Sequence, residues 1–117
     1  MLVFGAQEHP VLNGFYELSA VQPTVDGRPH YQLNATDGAV YSVYWSDRFG
    51  DWSIGPGLDI AGVLAYAKED VGHPADLTIV FSELVGDSFV ENSDLSVEAI
   101  ALAANPCQEG AACDVVS

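Results

Sequence analysis

Residues 39–55 of the chain read AVYSVYWSDRFGDWSIG, and this stretch decides the fold. Two short runs, 39–45 and 51–55, are rich in β-branched and aromatic residues, and a polar segment that contains Gly50 separates them. Residues of the first kind favour a pleated, packed surface, and a polar break with glycine is typical of a hairpin loop. The stretch therefore predicts a β-hairpin that carries both tryptophans of the chain, Trp45 and Trp52.

Turn signals on both sides of this hairpin divide the rest of the chain into short segments. Pairs such as Asn13-Gly14, Asp26-Gly27 and Gly86-Asp87 are typical of tight turns. Segment 62–69 has the composition of a short helix but also alternates like a strand, and we interpret it as a strand because its neighbours are strands. The other predicted strands are 15–20, 30–33, 76–83, 88–91 and 95–102.

About seven to eight short strands with turn signals between them predict an all-β fold. We expect a small antiparallel meander that closes as a barrel or folds as a two-sheet sandwich. A chain of 117 residues is typical of a single domain. The expected boundaries are an N-terminal extension over 1–9, one β domain over 10–104 and a C-terminal tail over 105–117.

The strongest global property of the sequence is its charge. There are 17 Asp and Glu residues against 3 Lys and Arg, which gives a formal net charge of −14 at pH 7. Such a chain repels phosphate backbones and anionic lipid headgroups, so we expect it to bind neither nucleic acid nor an anionic membrane surface. The charge suits a partner protein with a basic surface. The plainer interpretation is a solvated acidic surface that keeps the protein soluble.

Neither targeting signals nor the two cysteines determine the cellular compartment of the protein. No segment comes near the roughly 20 apolar residues that a spanning helix needs, so no membrane insertion is expected, and the N-terminus lacks the basic region of a signal peptide. Cys107 and Cys113 can close a small disulfide loop in an oxidising compartment, and the alternative is two free thiols. The predicted location is extracellular or organelle-lumenal if a leader has been removed and this disulfide forms, and cytoplasmic otherwise.

The aromatic residues of the hairpin are the candidate ligand-binding residues. Exposed aromatic faces stack on the apolar faces of sugars, so a carbohydrate or another small ligand suits such a surface. The alternative is that a domain this small needs these side chains for its core, with Trp45 and Trp52 facing each other across the strands. The candidate set is Tyr41, Tyr44, Trp45, Arg48 and Trp52.

The remaining polar residues point to structure rather than to a metal or a cofactor. Arg28 is one of few cations among many acids, so we expect it to pair with a carboxylate or stack on an aromatic ring, with anion binding as the alternative. The histidines His9, His30 and His73 show no local pairing typical of metal ligands. The acidic segment 87–94 lacks the residue order of a calcium loop. No metal ion and no cofactor is therefore expected.

Five short motifs occur in a fixed order along the chain: NGFY at 13–16, GRPHY at 27–31, VYSVYW at 40–45, WSIG at 52–55 and HPAD at 73–76. Together they resemble a recurrent β-rich module of uncharacterised proteins from algae, oomycetes and other protists and from some marine invertebrates. In those proteins the module often occurs in tandem or attached to other domains. The resemblance implies a β-rich fold and an interaction or structural role, and it carries no catalytic residues.

The sequence contains no recognisable nucleophile motif, phosphate-binding loop or dinucleotide fingerprint, so we expect no enzymatic activity. With the acidic charge and the resemblance, this predicts a non-enzymatic interaction or structural module. Such a module could serve as an acidic accessory subunit of a larger assembly, bound to a protein with a basic surface. The alternative is a carbohydrate- or small-ligand-binding domain that uses exposed aromatic side chains of the hairpin.

Overall fold

The structure, a computed structural model, describes residues 1–99. The all-β fold is confirmed, since the only helical segments in this part of the chain are short 3₁₀ turns at Pro10–Leu12, Ile60–Gly62 and Pro74–Asp76. Residues 1–99 form twelve strands rather than the predicted seven to eight, because several pairings are only two or three residues long. They are β1 (Leu2–Phe4), β2 (Gly14–Phe15), β3 (Glu17–Leu18), β4 (Thr24–Val25), β5 (Arg28–Pro29), β6 (Tyr31–Asn34), β7 (Val40–Ser46), β8 (Asp51–Pro56), β9 (Ala65–Ala67), β10 (Phe81–Val85), β11 (Ser88–Asn92) and β12 (Ser96–Glu98).

The strands form antiparallel sheets of very different size. The large sheet has seven strands in the order β11-β10-β9-β8-β7-β6-β3, a small sheet has three in the order β12-β1-β2, and β4 pairs with β5 alone. From β6 to β11 each strand pairs with the next one along the chain, so the predicted antiparallel meander is confirmed. None of the sheets formed by residues 1–99 closes on itself, so the predicted barrel is not confirmed.

The hairpin β7–β8 lies in the middle of the large sheet and carries both tryptophans, as predicted. Trp45 pairs directly with Trp52 across the strands, and their ring centroids lie 5.9 Å apart in an edge-to-face contact. Successive side chains of a strand point to opposite faces, so Val43 and Ile54 lie on the same face as the tryptophans. These side chains are buried in one core with residues of the small sheet such as Val3.

The opposite face of the hairpin is buried as well. Ser42, Tyr44 and Ser53 alternate with the core residues, and each is at most 3% exposed. The ring of His30, which follows β5, binds the Ser42 hydroxyl with 3.0 Å between Nε2 and Oγ. Burial on both faces explains why β7 lacks the regular polar alternation of a strand with one solvated face.

Residues 1–9, expected to precede the domain as an extension, contribute a strand to it instead. β1 pairs with β2 on one side and with β12 on the other, and Val3 is fully buried. Gly5 follows with a φ of +86°, and a Cβ at this position would overlap the backbone carbonyl of Asp94. The pairing of β1 with β12 joins distant parts of the chain, and local sequence patterns do not report such pairing.

The predicted strand over 76–83 is wrong in its first half, because β10 begins only at Phe81. The Glu69 carboxylate accepts hydrogen bonds from the backbone N–H groups of Thr78 and Ile79 and from the Thr78 hydroxyl. Side-chain acceptors of this kind compete with the sheet for backbone donors. The carboxylate therefore holds this segment outside the sheet.

The predicted strands over 62–69 and 95–102 match the structure to different extents. The strand interpretation of 62–69 is confirmed, since β9 lies within it. β12 occupies the first part of 95–102. The end of that segment, the tail over 105–117 and the cysteine pair Cys107 and Cys113 lie outside the described residues.

Glu83 on β10 binds the N-terminal segment to the large sheet. The residue is 2% exposed, and its carboxylate accepts hydrogen bonds from the Gln7 N–H at 3.1 Å, the His9 N–H at 2.8 Å and the Asn92 amide at 2.9 Å. Burial alone raises the pKa of Glu83, but these hydrogen bonds outweigh it, so the pKa lies below its ordinary value of 4.5. The ionised carboxylate therefore stabilises the folded state.

We expect Glu83→Gln to lower the free energy of unfolding by about 2–4 kcal/mol at neutral pH, because its amide turns an N–H donor toward groups that need an acceptor. Since the pKa is lowered in the folded state, the stabilisation by the carboxylate is complete above pH 4.5 and is lost as the pH falls through the folded-state pKa. Urea unfolding at neutral and at strongly acidic pH measures both effects. Glu91→Gln, on the exposed strand β11, is the control, and equal stability of the two variants would contradict this role of Glu83.

Candidate functional site

The structure places the predicted ligand-binding residues in two different environments. The aromatic members of the set are at most 8% exposed, whereas Arg48 is exposed in the loop of the hairpin. These aromatic side chains therefore form no exposed platform and belong to the interior, which is the other interpretation of the sequence. The buried members are Tyr41, Tyr44, Trp45 and Trp52.

The buried indole N–H groups bind the segments that follow β7 and β9. Trp45 Nε1 donates to Asp47 Oδ1 at 2.7 Å, and Trp52 Nε1 donates to the Val71 carbonyl oxygen at 2.9 Å. A buried tryptophan needs a partner for its N–H, so these loops are fixed by the tryptophans they cover.

Arg28 makes both of the contacts predicted for it. Its guanidinium carbon lies 3.8 Å from the centroid of the Trp45 ring, and Nη2 donates to the Asp70 carboxylate at 2.6 Å. Nη1 donates to the Val71 carbonyl oxygen at 2.8 Å. The side chain thus joins β5, the tryptophan pair and the segment after β9, and it serves the fold rather than an anionic ligand.

The three histidines do not come together. His9 Nε2 lies 2.9 Å from the Leu84 carbonyl oxygen, and His73 Nε2 lies 2.9 Å from the Tyr31 hydroxyl. His30 is buried beside β7, as described above. Within residues 1–99, no three His, Cys, Asp or Glu side chains are grouped so that they could hold a metal ion.

Strand β11 is the last strand at one end of the large sheet, and no other strand of residues 1–99 pairs with its outer side. The Leu84 N–H donates to the Leu64 carbonyl oxygen near β9, away from β11. Leu84 and its partner Phe89 therefore form a pair without hydrogen bonds between them. The N–H and C=O groups of Phe89, and by alternation those of Glu91, point toward the open edge.

The first four side chains of β11 are exposed, and Glu91 is the one charged residue of the strand. Phe89 is 40% exposed and Val90 is 51% exposed, and the strand contains neither lysine nor proline, which edge strands use to prevent pairing with other chains. The charge around it is negative, since Asp87, Glu91 and Asp94 are exposed. Within residues 1–99 this edge is therefore unpaired and lies among negative charges.

A shallow acidic groove of about 280 Å³ lies beside β11. Glu8, Glu83, Glu91 and Asp94 line it, with Val90 as an apolar wall, and no Lys, Arg or His side chain takes part. Elsewhere in residues 1–99 two of the few cations are engaged within the fold, Arg28 as above and Lys68, whose ammonium donates to the Phe49 carbonyl oxygen. The edge and the groove together form the candidate interaction surface.

Sequence reasoning predicts the strand at 88–91 but not its place at the end of the sheet. The one local signal is that Phe89 and Val90, on opposite faces of the strand, are both apolar, which a solvated strand does not need. The position itself follows from the pairing of all the other strands.

No protein-family model, curated protein or solved structure matches this chain. The resemblance to a recurrent β-rich module therefore stays a prediction. Residues 1–99 contain no helix that is long and apolar enough to cross a membrane.

We expect Arg28→Lys to lower the free energy of unfolding by about 1–2 kcal/mol, because lysine cannot both stack flat on Trp45 and donate through two nitrogens. Asp70→Asn is the matched control. The Asp70 side chain is 80% exposed, and an exposed ion pair contributes at most about 1 kcal/mol. Urea unfolding followed by tryptophan fluorescence measures both variants. Equal losses would mean that the ion pair alone explains the role of Arg28.

Proposed function

We propose that this domain is a non-enzymatic interaction module that binds a basic, extended segment of a partner protein by strand addition at β11. The supporting observation is the open outer side of a five-residue strand that lies among exposed acids. A segment that pairs with such an edge continues the sheet, so that main-chain hydrogen bonds contribute affinity and alternate side chains contribute specificity.

The main chain of β11 offers a short ladder to the incoming segment. Phe89 and Glu91 each direct one N–H and one C=O outward, and a hydrogen bond of this type contributes about 0.5–1.5 kcal/mol net. Such a ladder alone gives weak binding. The charges of the surrounding side chains therefore have to supply additional affinity and determine which partner binds.

Positive side chains on the added strand would meet carboxylates on both faces of the sheet. Glu8 and Asp94 line the groove on one side, and Asp87 is exposed at the turn between β10 and β11. Complementary charge at a solvated edge raises the association rate and makes binding sensitive to salt. An acidic accessory subunit that recognises a basic neighbour fits this arrangement.

The carbohydrate-binding alternative depended on exposed aromatics of the hairpin. Because those side chains are buried, they do not support a sugar platform. The resemblance to a module that is attached to other domains is consistent with recognition of a partner segment.

We expect a labelled synthetic peptide of alternating Lys and Val to bind the full chain in fluorescence anisotropy, with affinity that falls as salt is added. Glu91→Pro removes an outward N–H at a sheet edge, where proline is tolerated, and should weaken binding at least about tenfold. Glu91→Gln removes the same charge but keeps the N–H, and should weaken binding only about twofold to threefold.

The peptide itself supplies a second control. A peptide of the same sequence carries N-methyl groups on alternate residues, those whose N–H groups would face β11. It keeps its charge but cannot form the main-chain hydrogen bonds of an added strand. If the methylated peptide binds as tightly as the unmodified one, strand addition is wrong and the acids act by charge alone.

A further inference from the structure

A cleft of about 430 Å³ lies on the large sheet, between the loop of the hairpin β7–β8 and the hairpin β10–β11. Three aromatic side chains, Phe49, Tyr66 and Phe89, form part of its wall, and the rings of Tyr66 and Phe89 meet edge to face with centroids 4.8 Å apart. Asp51 and Ser53 of β8 alternate with Trp52, so the cleft is on the face opposite the tryptophan pair. Its volume lies within the roughly 300–1,000 Å³ typical of small-molecule sites.

A buried carboxylate lines this cleft without a positive partner. Asp51 is 7% exposed, and its Oδ1 accepts a hydrogen bond from the Ser53 hydroxyl at 2.8 Å. Among residues 1–99, the carboxylate forms no ion pair with a lysine, arginine or histidine. Burial of an unpaired negative charge is unfavourable, and a bound cation would relieve it.

Tyr44 is a second buried polar group on the same face of the sheet as this carboxylate. It lies directly across from Ser53 on β7, it is 3% exposed, and its hydroxyl makes no hydrogen bond to the described residues. Burial, and then the negative charges of Asp51 and Asp59, raise the pKa of Tyr44 against a smaller opposite effect of the Ser53 hydroxyl, so the phenol keeps its proton at neutral pH. Tyr44 does not itself line the cleft, so the Asp51 carboxylate is the group that points to a ligand.

The walls of the cleft favour a cation over an anion or a neutral ligand. Asp51 and Asp87 are its charged side chains, and no Lys, Arg or His lines it. The faces of aromatic rings attract positive charge, as the Arg48 guanidinium does 5.2 Å from the Phe49 ring centroid. Negative charge and aromatic faces together select a positively charged group.

The geometry points to a binding site for a small organic cation, namely a protonated primary amine that carries an apolar chain. The ammonium donates to the Asp51 carboxylate, a charge-assisted hydrogen bond that a quaternary ammonium cannot make. The apolar chain lies against Ile60, Val63 and Leu84, which complete the wall of the cleft. This site is on the face of the sheet, whereas strand addition uses the outer main-chain edge of β11, and Phe89 and Asp87 border both.

Titration of the full chain with hexylamine, followed by amide chemical shifts in NMR, tests the site. The expected result is saturable shifts confined to 49–53, 60–66 and 84–89, with hexanol and hexyltrimethylammonium each binding at least tenfold more weakly. These comparisons between ligands use the parent chain only, so a variant that fails to fold cannot affect them. Equal binding of hexanol would overturn the proposal, as would shifts spread over the whole acidic surface.

Three variants, one of them a control, locate the ammonium. Asp51→Asn should weaken hexylamine binding at least tenfold, whereas Asp37→Asn, a remote loss of the same charge, should change it less than twofold. Tyr44→Phe, which removes a hydroxyl that makes no hydrogen bond of good geometry within residues 1–99, should leave the thermal unfolding midpoint unchanged and weaken binding at most about threefold. Unchanged affinity in Asp51→Asn would refute the site. The basic peptide should bind Asp51→Asn as it binds the parent chain, so failure here is distinguishable from failure of strand addition at β11.

Discussion

The edge-to-face pair of Trp45 and Trp52 is the contact on which the rest of the structure depends. The two rings occupy directly opposed positions of the central hairpin, so the core forms around them from both sheets. Their N–H groups then bind the segments after β7 and β9, and Arg28 covers Trp45 from β5. Residues 1–99 form no α-helix, and the domain gains much of its interior from these rings, because aromatic side chains bury more area than any others. The sheet, two loops and the β4–β5 hairpin are thereby held by one pair of side chains.

Both faces of the β7–β8 hairpin are buried, and this constrains the polar side chains on the face opposite the tryptophans. Polar side chains there must find partners inside the protein, and most do, such as Ser42 with His30 and Ser53 with Asp51. Tyr44 does not, within the described residues. The face that carries the tryptophans thus stabilises the domain. The opposite face holds the buried Tyr44 hydroxyl and the Asp51 carboxylate, and the carboxylate is the group available to a ligand.

The central hairpin, the meander and the contacts of Arg28 can be predicted from the sequence, because turn residues, β-branched runs and a rare cation are local signals. The N-terminal strand cannot, since β12, one of the two partners of β1, comes from a segment near residue 97. The same holds for 78–79, whose backbone binds the Glu69 carboxylate. The aromatic run of β7 leaves two outcomes open, a covered strand or an exposed platform, and only the packing of other strands decides between them. For the same reason, neither the cleft nor the open edge of β11 has a sequence motif.

The open edge of β11 also has a consequence for the protein in concentrated solution. Two copies could join edge to edge through this strand, as aggregating proteins do, and the strand itself has no lysine or proline to prevent it. The net charge of −14 makes such self-pairing repulsive at neutral pH. Acidification neutralises carboxylates and high salt screens them, so the colloidal stability of the domain rests on the same charges that surround its strand edge. Its solubility is therefore a property of pH and ionic strength as much as of its fold.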